Sequence, residues 1–317
     1  MARVVARSAH LNFNQAKEAG GGAYLMGQSS FMGGSFDANV ASGSEGGAGL
    51  HVSGRGSSCL SHIAISGNSA ASSKGGGVFV SGKGVKVECA ACLIESNVAP
   101  IGGGGAVYDG STLVLMNATV AGNNATEHGG GLAVEERSVL NMTHSMVSRN
   151  AAQQRGAGLY SANGVLSLTD TNVVRNRATK GEGGGLAWKD GVLQIDAESR
   201  FTNNSAIGGG CFFLIRGPLN LLPSSACGVG NRADYGPIRA SVAVALRVVF
   251  VGRIWAGETM ANTSTLKVGL VDRYNQQLVD KKRQGNILKN VRFDCTASDA
   301  STRLTGATGI KMTPESG

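Results

Sequence analysis

VAGNNATEHGGGLAVEERSVLNMTHSMVSRNAA, residues 120–152, is the stretch that decides the fold. Val120-x-x-Asn123-x-Ala125 opens it, and Val147-x-x-Asn150-x-Ala152 repeats that motif 27 residues later. Between the two copies lies a glycine cluster that runs into apolar residues, Gly129-Gly-Gly-Leu-Ala-Val134. A short alternating strand, Leu140-Asn-Met142, follows it.

The same unit extends in both directions. The asparagine motif recurs at Asn14, Asn39, Asn68, Asn97, Asn123, Asn150, Asn176 and Asn204, with a degenerate last copy at Asn231. Successive asparagines stand 25, 29, 29, 26, 27, 26, 28 and 27 residues apart. A fixed period of that length is the mark of stacked repeats. Each asparagine is followed by a polar loop and a glycine cluster, at Gly20, Gly46, Gly75, Gly102, Gly129, Gly156, Gly183 and Gly208. Asp109-Gly110, Asn163-Gly164 and Asp190-Gly191 punctuate the next bend, as dipeptides that favour positive φ.

One repeat therefore reads as three short strands and three bends, with period-two alternation and no helical run. Such a unit buries too little to hold itself. Stacking solves this, because each coil pairs its backbone with the coils above and below and the inward side chains form one core. The handedness rule for parallel crossovers makes the coil right-handed. The expected fold is all-β: a right-handed parallel β-helix of about eight coils over residues 1–233, then a small β-rich segment over 234–317. The asparagines are expected to sit in the left-handed region at a bend and to bond from coil to coil as a ladder.

Composition agrees. Forty-nine glycines with only five prolines exclude collagen and disordered linkers. The formal charge is +8, and the excess is uneven: 16 basic against 14 acidic residues through Asn231, then 13 against 7. The basic part lacks interleaved aromatics and any nucleic-acid motif, so no nucleic-acid partner is expected. No signal peptide is legible at Met1–Arg7. Ala240–Ala256, the most apolar stretch, carries Arg247 and Arg253, so no membrane-spanning segment is expected.

Six cysteines are scattered. Cys89-Ala-Ala-Cys92 has redox or zinc spacing, but nothing nearby completes such a site. Cys59 and Cys89 fall at nearly equivalent places in adjacent coils, so in an oxidising compartment a cross-coil disulfide is sterically reasonable there, and Cys211 with Cys227 could close the C-terminal end in the same way. Asn117, Asn124, Asn141, Asn203 and Asn262 head Asn-x-Ser/Thr sequons, which accept N-linked glycans on a secretory route and also arise by chance.

The glycine-glycine-apolar and Phe-x-x-Asn motifs, complete at Phe36-Asp-Ala-Asn39 and Phe201-Thr-Asn-Asn204, resemble the repeats of the chlamydial polymorphic outer membrane proteins and their β-helical relatives. The resemblance covers about residues 8–233. It implies a surface-exposed or secreted β-helix with adhesive roles, although residues 234–317 do not read as a membrane barrel. In the tail, Val242–Val248, Leu266–Val271 and Val291–Phe293 read as antiparallel strands. Val271-Asp-Arg-Tyr-Asn-Gln-Gln277 resembles a strand-turn segment of immunoglobulin-like surface repeats. Lys281-Lys-Arg283 reads as a loop and Asp299 onward as frayed.

Parallel β-helices also host polysaccharide-active enzymes, whose chemistry needs clustered carboxylates on one face. Aligned on the middle strand, one ionisable stripe emerges: His62, Ala91, Asn117, His144 and Asp170, with Glu198 close to the column. His144 and Asp170 are expected about one strand spacing apart, ~4.8 Å. The stripe lacks aligned paired carboxylates, so it reads as a solvated corner or a weak ligand contact rather than a catalytic dyad. The loops Lys17-Glu18, Ser72–Lys74, Thr126–His128, Gln153–Arg155 and Thr179–Glu182 are expected to be displayed at regular intervals. Together these features point to a non-catalytic attachment scaffold with a glycan or cell-surface protein as partner and no cofactor, and the resemblance implies a place that is extracellular or at the cell surface. The alternative is a polysaccharide lyase, hydrolase or epimerase.

Overall fold

A computed structural model describes residues 3–218, 223–251 and 265–278. Two compact units divide the chain at Ser241/Val242. The first is a parallel β-helix. Every strand pairing within it is parallel, and strand follows strand in the register of the repeat: Leu140 pairs with Leu113 below and Leu166 above.

The coils number nine, one more than the clear sequence copies, because Arg232–Tyr235 and Arg239–Ser241 pair with the eighth. The unit accordingly runs past the expected boundary at 233/234. The segment after each asparagine, expected to be loop, is a fourth short strand. Ala151–Ala152 is one example, and these segments stack into a nine-stranded sheet of their own. In this sheet the alanine of each motif points inward, and Ala41, Ala70 and Ala99 pack together, as do Ala125, Ala152 and Ala178.

The asparagine ladder forms over all nine coils, and its chemistry closes. Asn123 Oδ1 accepts from both the backbone N–H and the Nδ2 of Asn97, at 2.9 and 3.0 Å. Its own Nδ2 donates to Asn150 Oδ1 and to the Ile94 carbonyl. Both amide protons and both acceptor lone pairs are used, which is why a buried polar column is tolerated. The sequence reading is corrected in one respect. The left-handed residue of the bend is the one before the asparagine, such as Gly122, Arg149 or Arg175, at φ of 63°, 55° and 56°. The asparagine itself turns inward.

The cluster at Gly129 shows the two places where glycine is required. Gly129 adopts φ +65°, and at Gly131 a Cβ would lie 2.5 Å from the Gly158 carbonyl oxygen of the next coil. Elsewhere the core compensates between coils: Trp188 is buried directly above the small Ser161.

Two disulfides form, and one expected pairing is overturned. Cys211–Cys227 is present as expected, but Cys89 pairs with Cys92 across the left-handed bend at Ala91. Cys59 is free and exposed. The reason is a one-residue offset: Cys59 stands opposite Glu88 and Leu60 opposite Cys89, so Cys59 faces out while Cys89 faces in.

The second unit shows one antiparallel pair, Ala243–Val251 with Thr265–Asp272. Asp272 Oδ1 accepts from the backbone N–H groups of Tyr274 and Gln276, which shapes the turn after the second strand. Val291–Phe293, Lys281–Arg283, Asn262 and the stretch from Asp299 lie outside the described residues.

Candidate functional site

The ionisable stripe is a real column, and its backbone is distinctive. His62, Ala91, Asn117, His144 and Asp170 all adopt left-handed φ, between 43° and 54°. They form the corner that turns the middle strand into the next one. Side chains here project outward because the following residue, such as Ser145 or Thr171, takes the inward corner position. Ser145 Oγ accepts the Ala118 N–H, and Ser199 Oγ accepts the Thr171 N–H.

His144 and Asp170 meet as expected, with Nδ1 2.8 Å from Oδ2. Their side chains are 60% and 50% exposed, so the pair contributes little to stability. Asn117 lies one coil below His144. His62 does not join them, because Ala91 intervenes, and it contacts Ser61 Oγ instead. Beyond Asp170 the carboxylate of Asp196, from one residue nearer the strand, reaches the column. Asp196 Oδ2 accepts the Asp170 N–H, and Oδ1 accepts from both the N–H and the hydroxyl of Ser199. A desolvation effect that raises its pKa is outweighed by these bonds from Ser199, Asp170 and Glu198, and the carboxyl sits below its usual range.

Asn117, Thr119, His144, Met146, Asp170 and Asn172 surround a shallow open recess of about 260 Å3 spanning three coils. It offers carboxylate, imidazole, amide and hydroxyl groups and one thioether. A slightly larger hollow beside Val4, Tyr24 and Met26 in the first coil is mostly apolar in lining and holds no charged group.

A second concentration of ionisable groups was not legible in the sequence. The outward side of the glycine strands is itself buried: His51, Phe79, Ala106, Ala133, Tyr160, Ala187 and Phe213. The preceding loops fold over it. Lys74 Nζ sits 3.8 Å from the Tyr108 ring centre, the His128 ring stacks on Tyr160, and Ile101 packs against Phe79, Ala106 and Tyr108. Arg155 Nε pairs with the buried Glu182 at 3.2 Å. Four residues expected on displayed loops, Lys74, His128, Arg155 and Glu182, thus cover a lateral seam. Ser72, Thr126, Gln154 and Thr179 remain exposed. The only signal was the unbroken apolar character of GGGVFV and GGGLAV, which marks strands covered on both faces.

The seam shifts its titrating groups. Burial, reinforced by Glu135, raises the Tyr108 phenol well above its ordinary value, and Tyr108 donates a hydrogen bond to Glu135. Burial pushes Tyr160 up to about 12 and raises Glu135, while it lowers His128 with help from Arg155. Burial also lowers His51 to about 4, although Ser81 Oγ lies 3.1 Å from its Nε2. In an unfolded chain a histidine titrates near 6.5. Between those values the unfolded chain binds more protons, so this contribution is fully present above about 6.5 and is lost as pH falls toward 4. A loss on the order of 3 kcal/mol is expected from this residue. Denaturant unfolding at pH 7 and pH 4 checks it: His51→Gln should flatten the dependence, and an unchanged slope would assign it to other groups.

Among the described residues, no three His, Cys, Asp or Glu side chains gather as a metal site, and no helix is long and apolar enough to cross a membrane. Residues 8–206 match a family model described as right handed beta helix region. No curated protein and no solved structure matches the chain.

Proposed function

Because the chain belongs to the right-handed β-helix family, we propose that it is a non-catalytic attachment scaffold at the cell surface, and that its corner recess takes a carbohydrate partner. The observation that carries this reading is the recess itself. Asp170 and His144 stand 2.8 Å apart, and Asn117, Asn172 and Met146 line the same recess. Carboxylate, imidazole and amide groups at that spacing suit the vicinal hydroxyls of a sugar, and the Met146 side chain adds an apolar contact for its C–H groups. The likeness to polymorphic outer membrane protein repeats supports a place outside the cell.

Binding to immobilised pectate, alginate and a panel of surface glycans tests it. Asp170→Asn is expected to weaken binding about tenfold, equivalent to about 1.4 kcal/mol, with no new reducing ends released. Equal binding by the variant would remove the recess from the reading. A second reading, polysaccharide cleavage or epimerisation, draws on Glu135: a carboxyl with raised pKa, bonded to Tyr108 and near Lys74, has the properties of a general acid. Depolymerisation that disappears in Glu135→Gln would establish that reading instead.

A further inference from the structure

The asparagines of this chain fall into two classes that the fold separates. The nine ladder asparagines turn toward the core, and each is followed two residues later by alanine, because that position packs inward in the short strand after the bend. None of them heads a sequon. All four sequon asparagines within the described residues, Asn117, Asn124, Asn141 and Asn203, lie instead at outward positions.

Their surroundings differ. Asn141 is half-buried in mid-strand between Val114 and Ser167. Asn117 is exposed but opens into the recess beside His144. Asn124 and Asn203 are exposed on either side of a ladder asparagine, Asn123 and Asn204 respectively. Asn124 is flanked along its row by Val98 and Ala151, and Asn203 lies against Gly230, which has no side chain. Both are exposed, unlike Asn141, and neither lines the recess. An independent observation bears on compartment. The disulfides Cys89–Cys92 and Cys211–Cys227 belong to an oxidising environment.

We infer that Asn124 and Asn203 are sites of N-linked glycosylation, acquired on a secretory route. The donor is a lipid-pyrophosphate-linked oligosaccharide. A bond forms between the asparagine Nδ2 and the sugar C1, the C1–O bond to pyrophosphate breaks, the lipid pyrophosphate leaves, and the amide gives up one proton. The hydroxyls of Thr126 and Ser205 complete the two acceptor sequences. The modified edge is then the asparagine corner, while the corner that carries His144 and Asp170 stays open.

The test uses protein recovered from its own cells. Enzymatic release of N-glycans in heavy-oxygen water converts each occupied asparagine to a labelled aspartate that mass spectrometry locates. Label is expected at Asn124 and Asn203. Thr126→Ala expressed in the same cells should remove one glycan and Thr126→Ser should retain it, since both substitutions lie at an exposed position and the second keeps the acceptor sequence. Protein with both disulfides formed and neither site labelled overturns the inference, as does recovery in a reduced, unmodified form. Label at Asn117 in addition supports the modification but fills the recess, so it would count against carbohydrate binding there.

Discussion

Asn123→Ala is expected to destabilise the β-helix by about 3–6 kcal/mol, although it removes only a carboxamide. The Asn97 N–H and Nδ2 lose their shared acceptor, and the Ile94 carbonyl loses a donor. All three groups are buried where water does not reach, and each costs roughly 1–3 kcal/mol when left unmade. Position matters as much as chemistry. In a stack where each coil touches only its neighbours, a fault in the fifth coil weakens the coupling between the halves, so unfolding should broaden or split into two steps. Asn14→Ala at the exposed end of the same ladder removes no acceptor used by a lower coil, and should cost under about 1 kcal/mol. Urea titrations followed by circular dichroism measure both. Equal midpoints for Asn123→Ala and the parent protein would show that the ladder is incidental.

Val147→Asp should be more damaging still. Val147 is fully buried, stacked on Val120 below and Val173 above. Aspartate there places a carboxylate among side chains that offer it no hydrogen bond. It must either stay charged at high cost or take up a proton and remain an unpaired polar group, and either way several kcal/mol are lost. His144→Ala, three residues away, alters an exposed corner and should stay within about 0.5 kcal/mol. The comparison measures which way the strand Met146–Ser148 faces. Similar melting of the two variants would contradict the register described above.

The parallel β-helix was legible from the sequence because its determinants are local and repeat. The apolar-x-x-Asn-x-Ala motif names an inward apolar residue, a ladder amide and a small packing residue in six positions, and eight copies with a degenerate ninth leave one way to stack them. The corner stripe was legible for the same reason: counting from Leu115, Met142 and Leu168 places Asn117, His144 and Asp170 at equivalent turns. What escaped was whatever depends on which rows come within contact distance. Cys59 and Cys89 look equivalent by count, yet a one-residue difference in register puts one thiol outside and the other in the core beside Cys92. The fold of the loops over Phe79, Tyr108 and Tyr160 left no periodic trace, because Lys74, His128, Arg155 and Glu182 are polar residues in segments that read as displayed. Period and residue type thus determined the coil, its ladder and its corners. Only the tertiary structure decided where a polar side chain lies down on a neighbouring strand, because that depends on the path of each loop across the sheet, and burial then raises the pKa of Glu135 and Tyr160 and lowers that of His51.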